Sequence, residues 1–318
     1  MQWESPWGDA RVKRVLAMMA PVTLGLGVYQ VNVLVDSFLA MSVATWAPAA
    51  LTYAQRLVYT PMSIFATALG TVLLPTFSQQ AAREQHDEIL TTMGVALRNV
   101  ALVMIPMSVG LIVLAQPVVD LAFVWRDGLF RADSAQQTAR AVWFMAPGLA
   151  LFSAYKVLVP AFYALKDTAT PVKIAVRVVF LNFALNVCFI LTWPTGWKHA
   201  GIPFATVLAS AANCMSLGVM LHRRLGSPGW GRIAGVAVRC LLASLLMGVV
   251  VYCVRLEMSP IVWGHGDKWA KLGQVVALLS AVLAGMAVYT GLMWLFCRTE
   301  LKEMIGSRRR RESEERLS

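Results

Sequence analysis

Apolar stretches of about 20 residues or more recur from near the start of the chain to within about twenty residues of its end, and that recurrence leaves few folds open. Each stretch is long enough to cross the hydrocarbon core of a bilayer as a helix. The composition agrees, with 58% hydrophobic and 14% charged residues and a mean hydropathy of +0.62. Soluble domains carry about a quarter charged residues. The expectation is an all-α polytopic membrane protein with no room for a sizeable soluble domain. The opening MQWESPWGDARV is polar, and the apolar run after it is too long for a cleaved signal. The first span is therefore expected to stay in the membrane.

About eight spans can be drawn, near 13–40, 48–75, 89–116, 139–163, 171–193, 201–221, 232–254 and 270–297. The net charge is +11, and its distribution argues against a nucleic-acid partner. Lys13, Arg14, Arg83, Lys166, Lys173, Arg223, Arg224 and the RRRR run of the tail fall at one side. The other side holds only Arg126, Arg131, Lys198, Arg255, Lys268 and Lys271. By the positive-inside rule both termini are expected in the cytoplasm. The five cysteines lie in or beside apolar spans without a CxxC pair, as small core residues would.

Within the second span sits Arg56, a guanidinium in a segment apolar enough for lipid. A charge at bilayer centre costs roughly 2.5–3.5 kcal/mol even on the lenient insertion scale. A tolerated one faces a water-filled cavity, snorkels to the interface or pairs with an acid. Thr52, Arg56, Thr60, Ser63, Thr67 and Thr71 recur at steps of three or four, which puts them on one helix face. That face reads as the wall of a polar cavity. Lys156 is a second intramembrane cation, in a span dense in breakers: Pro147, Gly148, Pro160 and then Pro171. Arg98 and Arg177 lie close enough to the cytoplasmic side to snorkel.

Three spans carry polar oxygens on one face, a carboxylate in the first and only amides and hydroxyls in the fifth and sixth. In the first, Gly25, Tyr29, Asn32 and Asp36 share a face, and Asp36 is either an ion ligand or a solvated group near the outer mouth. Asn182 and Asn186 are one turn apart in the fifth, and Thr206, Ser210 and Asn213 are spaced by four and three in the sixth. Such oxygens suit a hard monovalent cation, and they equally suit interhelical hydrogen bonding. The last two spans are almost purely apolar and are expected to face lipid or an acyl chain, and the basic tail can touch anionic headgroups.

The order VYQVNVLVDSFLA, LTYAQRLVYTPMSIFATALGTVLLPTFS and VLVPAFYALKDTATPVKIAV resembles the MurJ (MviN) family of lipid II flippases, within the multidrug, oligosaccharidyl-lipid and polysaccharide exporter superfamily. Members have fourteen spans, and the likeness is to spans seven to fourteen. The resemblance implies that Arg56 is the cavity arginine that meets the substrate pyrophosphate, with Gln55 where many members have Asp. Thr52, Thr60 and Lys156 are taken as lining the same substrate path. It also implies a sodium site of Asp36, Asn182, Asn186, Thr206 and the backbone of Ile202. Asn186 stands where some members have Asp, and the lost negative charge weakens cation binding.

The implied activity moves lipid II between leaflets of the bacterial cytoplasmic membrane, without covalent chemistry or a cofactor, driven either by a coupling cation, with Na+ the candidate, or by the membrane potential. The implied layout is a cytoplasmic segment over 1–12, a six-helix lobe over 13–221, two further helices forming a lipid-tail groove over 222–297 and a basic tail over 298–318. The implied partners are lipid II, membrane lipids and a six-helix N-terminal lobe. An exporter of drugs or polysaccharides from the same superfamily and a scaffold of the cell-wall machinery are the rivals. An enzyme acting on polyprenyl phosphates would need clustered acids for magnesium, and the spans offer no DDxxD.

Overall fold

The computed structural model describes residues 27–28, 30–124, 132–262 and 268–296, and among them the only regular structure is helix. In chain order these are α1 (Gln30–Val43), α2 (Ala47–Ala82), α3 (His86–Val113), α4 (Ala115–Phe123), α5 (Ala132–Met145), α6 (Gly148–Ala164), α7 (Ala169–Thr192), α8 (Lys198–Leu225), α9 (Trp230–Val262) and α10 (Lys268–Phe296). Five described helices are long and apolar enough to cross a membrane, and two bent assemblies, α2 and the α5–α6 pair, bring the number to seven. The protein is an all-α polytopic membrane protein. The first expected span is described only through α1. Its earlier part, with Gly25 and Tyr29, lies outside the described residues, as do Arg126, Arg131 and the tail from Arg298.

The helices sort into two compact units. The first draws on Met1–Ala49, Ile64–Met93 and Ala154–Pro228. Here α7 and α8 form a hairpin joined by a short turn after Trp193. Phe189 lies 5.2 Å from Trp193 and 5.4 Å from Phe204 between ring centroids, an aromatic cluster at the turn end. At the opposite end the α6–α7 loop is tied to α8. Asp167 Oδ1 accepts from the backbone N–H of Thr170 at 3.0 Å, its other oxygen is ion-paired with Arg224, and Arg224 also reaches Thr170 Oγ1 at 3.4 Å. Burial raises the Asp167 pKa, but hydrogen bonds to Thr170 and the Arg224 charge outweigh it and hold the carboxyl below the usual range. Gly226, with φ at 104°, ends α8 in a conformation that a side chain would strain.

The second unit draws on Ala50–Ser63, Gly94–Ser153 and Gly229–Ser318. Its core includes Leu102, Val236, Cys240, Ala243 and Met293, and separately Leu114, Met247, Val251 and Ala281. Tyr289 of α10 donates to the Leu102 carbonyl of α3 at 2.8 Å. Between α5 and α6 the axis turns by 48° at the Ala146–Pro147 break, and Ser108 of α3 donates to the Ala146 carbonyl at 2.7 Å. The same carbonyl also accepts from the backbone N–H of Leu149 at 3.1 Å, so the buried hydroxyl adds a second bond at the break, where lipid depth offers no water.

Three sequence expectations change in three dimensions. Arg98, expected to snorkel, is buried, with only 8% of its surface exposed. Arg255 donates to the Val113 carbonyl at 3.2 Å and Lys271 to the Val124 carbonyl at 2.7 Å. Arg255 and Lys271 thus neutralise the negative ends of α3 and α4. Of the cysteines, Cys240 is core, whereas Cys188 and Cys253 are exposed. The outward sides of α9 and α10 carry Leu242, Leu245, Val249, Leu279, Leu283 and Met286, each more than half exposed. Such surfaces belong against acyl chains.

Candidate functional site

Two polar constellations stand out, one in each unit. In the second unit, Thr52, Arg56, Thr60 and Ser63 lie on one exposed face of α2, with Gln55 half-buried beside it. The hydroxyls are served by their own helix: Thr60 Oγ1 donates to the Arg56 carbonyl at 2.6 Å and Ser63 Oγ to the Thr60 carbonyl at 2.8 Å. Their donors make no demand for water. The guanidinium differs. Its Cζ lies 5.9 Å from the centre of the Tyr53 ring, which packs on Phe123 at 4.7 Å. No described residue forms an ion pair with Arg56. An exposed cation beside an aromatic ring is disposed to take an anion from outside the lobe. Lys156 is half-buried in the part of α6 that belongs to the first unit.

In the first unit, α1, α7 and α8 bring Asp36, Asn182, Asn186 and Thr206 together, with the Ile202 carbonyl beside them. Asn186 Nδ2 donates to Asp36 Oδ1 at 2.7 Å and to Asn182 Oδ1 at 2.8 Å. Asn32 Nδ2 donates to Asp36 Oδ2 at 3.3 Å. Thr206 Oγ1 lies 3.3 Å from Asp36 Oδ2 and 3.1 Å from the Ile202 carbonyl, and its single proton serves one of them. Asn182 and Asn186 are almost fully buried, and Asp36 and Thr206 are half-buried. Asp36 is therefore part of an interhelical cluster and not merely a solvated group. Asn213, which the sequence places on the same face, keeps a buried oxygen without a partner, and Ser210 donates to the Thr206 carbonyl at 2.8 Å.

The donor set suits a small hard cation. It offers one carboxylate, amide and hydroxyl oxygens and a backbone carbonyl, and no soft ligand. Asn186 Oδ1 is buried without a hydrogen-bond partner, a lone pair left for a ligand. The Asn182 amide can also turn over, which places its nitrogen 3.0 Å from Asp36 Oδ1 and 3.3 Å from Asn32 Oδ1 and its oxygen 3.3 Å from Thr206 Oγ1. The spot beside Asp36 is thus bordered by oxygens, which either N–H donors or a shared cation would satisfy. Spacing along α1, α7 and α8 made each polar face legible. The pairing of Arg224 with Asp167, 57 residues apart, left no sequence signal.

A sequence model of one protein family, described as lipid II flippase MurJ, matches residues 1–266. The probable lipid II flippase MurJ of Vibrio cholerae is 28% identical over 294 residues, covering 91% of this chain and 53% of that protein. The lipid II flippase MurJ of Burkholderia cenocepacia is 28% identical over 288 residues, covering 89% and 53%. A solved structure of lipid II flippase MurJ in an inward closed conformation superposes with a TM-score of 0.69 at 23% identity, covering 90% of this chain and 55% of that one. This chain spans about half the length of the curated relatives it matches.

Proposed function

The chain belongs to the lipid II flippase MurJ family, and from that premise we propose that it is the part of a flippase that draws the pyrophosphate of lipid II into the membrane. The observation that carries the reading is Arg56: exposed on α2, within 5.9 Å of the Tyr53 ring centre and without an acid partner among the described residues. The physical barrier to flipping is the passage of an anionic sugar headgroup through hydrocarbon. One charge pair at about 4 Å is worth roughly 4 kcal/mol at an effective dielectric near 20, before desolvation is subtracted. A fixed cation lowers the barrier without bond making, so the activity is transport and not catalysis. Thr52, Gln55 and Thr60 border the guanidinium, and Lys156 is a second intramembrane cation, on α6.

The undecaprenyl tail travels along the apolar surfaces of α9 and α10, and the headgroup chamber is completed by a second six-helix lobe, whether on the same polypeptide or another. The protein works in the bacterial cytoplasmic membrane with both termini inside, as the charge distribution supports. The ion held by Asp36, Asn182, Asn186, Thr206 and the Ile202 carbonyl is Na+. When bound, it supplies positive charge that joins α1 to the α7–α8 hairpin. With one carboxylate the cluster suits a monovalent ion, and substitution of Asn186 for an acid makes the hold weak.

The test is complementation of bacteria depleted of their lipid II flippase, with this chain expressed alone and with a six-helix lobe of a family member. Growth restored with the lobe, and lost on Arg56→Ala with membrane insertion intact, supports the proposal. Growth that is indifferent to Arg56 overturns it.

A further inference from the structure

The oxygens of the first unit meet where α7 and α8 pack, and a glycine stands at the close approach of the two helices. A Cβ added at Gly201 would stand 2.7 Å from Phe189 Cβ and 3.5 Å from its Cγ. The obstacle is an atom fixed to the α7 backbone, not the swinging end of a side chain. Phe189 is itself held between Trp193 and Phe204, so it has little room to yield. To regain ordinary contact, the helices would have to part by about 0.7 Å at this point.

The contact lies next to the cluster along both helices. Gly201 precedes Ile202, whose carbonyl stands 3.1 Å from Thr206 Oγ1. Phe189 follows Asn186 by three residues, one turn along the same face of α7. Asn186 in turn spans Asp36 and Asn182 at 2.7 and 2.8 Å. Any separation at Gly201 is therefore passed to the carbonyl and the amides within one turn.

We infer that Gly201 is a positioning and selectivity residue of this cluster: its bare backbone against Phe189 fixes the α7–α8 spacing at which the oxygens fit a small monovalent cation. The inference rests on reading the cluster as a cation site. Oxygen cages discriminate between ions by how closely their ligands approach, so a spacing error of several tenths of an ångström weakens the smaller ion most.

The experiment uses the full chain purified into lipid nanodiscs and titrated with NaCl or KCl at constant ionic strength in choline chloride, with binding read by calorimetry. The native chain is expected to bind Na+ more tightly than K+. Gly201→Ala should lose roughly tenfold or more in Na+ affinity, the range seen when a ligand's supporting contacts are altered, with the Na+ to K+ preference falling toward one. Gly201→Ala combined with Phe189→Gly moves the missing Cβ to the facing helix and should restore both. Gly285→Ala, whose methyl would stand 2.7 Å from Val251 Cγ2 in the other unit, should lower thermal stability and leave Na+ affinity unchanged. Native affinity and preference in Gly201→Ala would overturn the inference, as would failure of the double variant to recover them. If Gly201→Ala alone does not fold, the double variant decides by the same criterion. Absence of Na+ binding in the native chain would instead remove the cation reading itself, a result distinct from a native chain that binds and a Gly201→Ala that binds equally.

Discussion

Arg56 and Asp36 are each the charged member of a polar constellation, and their surroundings give them different work. Arg56 is exposed and leans on Tyr53, so its donors are available to a ligand. Arg56→Ala should abolish complementation with normal membrane insertion. Arg56→Lys keeps the charge but loses the planar fork. Losing one charge-assisted hydrogen bond costs about 1.5–3 kcal/mol, so partial rescue is expected, measured as growth rate in the depleted strain. Asp36 is satisfied by Asn186, Asn32 and Thr206, and removing its charge leaves only neutral oxygens. Asp36→Asn should eliminate the thermal stabilisation that NaCl gives over choline chloride, whereas Asn186→Asp should increase it by restoring a second negative charge. The faces that hold these residues were legible because helical periodicity gathers Thr52, Arg56 and Thr60, or Asn182 and Asn186, whatever the tertiary fold. Burial was not. Arg98 sits about as near the cytoplasmic side as a snorkelling arginine would, and only the packing of neighbouring helices decides that it is covered.

Helix ends and breaks carry the next level of information. The turn at Ala146–Pro147 follows from a proline that cannot donate and a glycine that opens α6, and the sequence shows both. That Ser108, 38 residues away, serves the Ala146 carbonyl depends on how α3 meets the break and has no local signature. Ser108→Ala removes one of that carbonyl's two donors, leaving the Leu149 N–H, and should destabilise the protein by about 0.5–1.5 kcal/mol, read as a lower unfolding temperature in detergent. The bend of α2 by 45° has no proline at its centre, which is why the sequence reading drew one straight span. At the α6–α7 loop, Asp167 has a folded pKa below its unfolded value. The stability it contributes is therefore present above the unfolded pKa, near 3.8, and is lost as pH falls through the lower folded value. Asp167→Asn should accordingly flatten the acid limb of a stability profile below about pH 5 and lower stability at neutral pH, while Arg224→Ala should do the same through the partner.

For the whole molecule, the sequence made the helical, apolar character of the spans legible, since lipid imposes it directly, and left the two-unit grouping illegible. Residues 50–63 and 64–82 of one helix fall in different units, and no composition shift marks the boundary. The α7–α8 hairpin makes the expected orientation testable. Asp167, before α7, is paired with Arg224 in the last turn of α8, so Lys166, Arg223 and Arg224 lie at one end. Thr195, in the exposed turn between the helices, lies at the other. α7 has 24 residues, enough at 1.5 Å per residue to cross a core of about 30 Å. The basic cluster should then face the cytoplasm. With the native cysteines replaced, a membrane-impermeant maleimide applied to intact spheroplasts should label Thr195→Cys at once and Lys166→Cys only after permeabilisation. The opposite labelling would invert the orientation, and labelling of both before permeabilisation would mean that α7 and α8 do not each cross the bilayer.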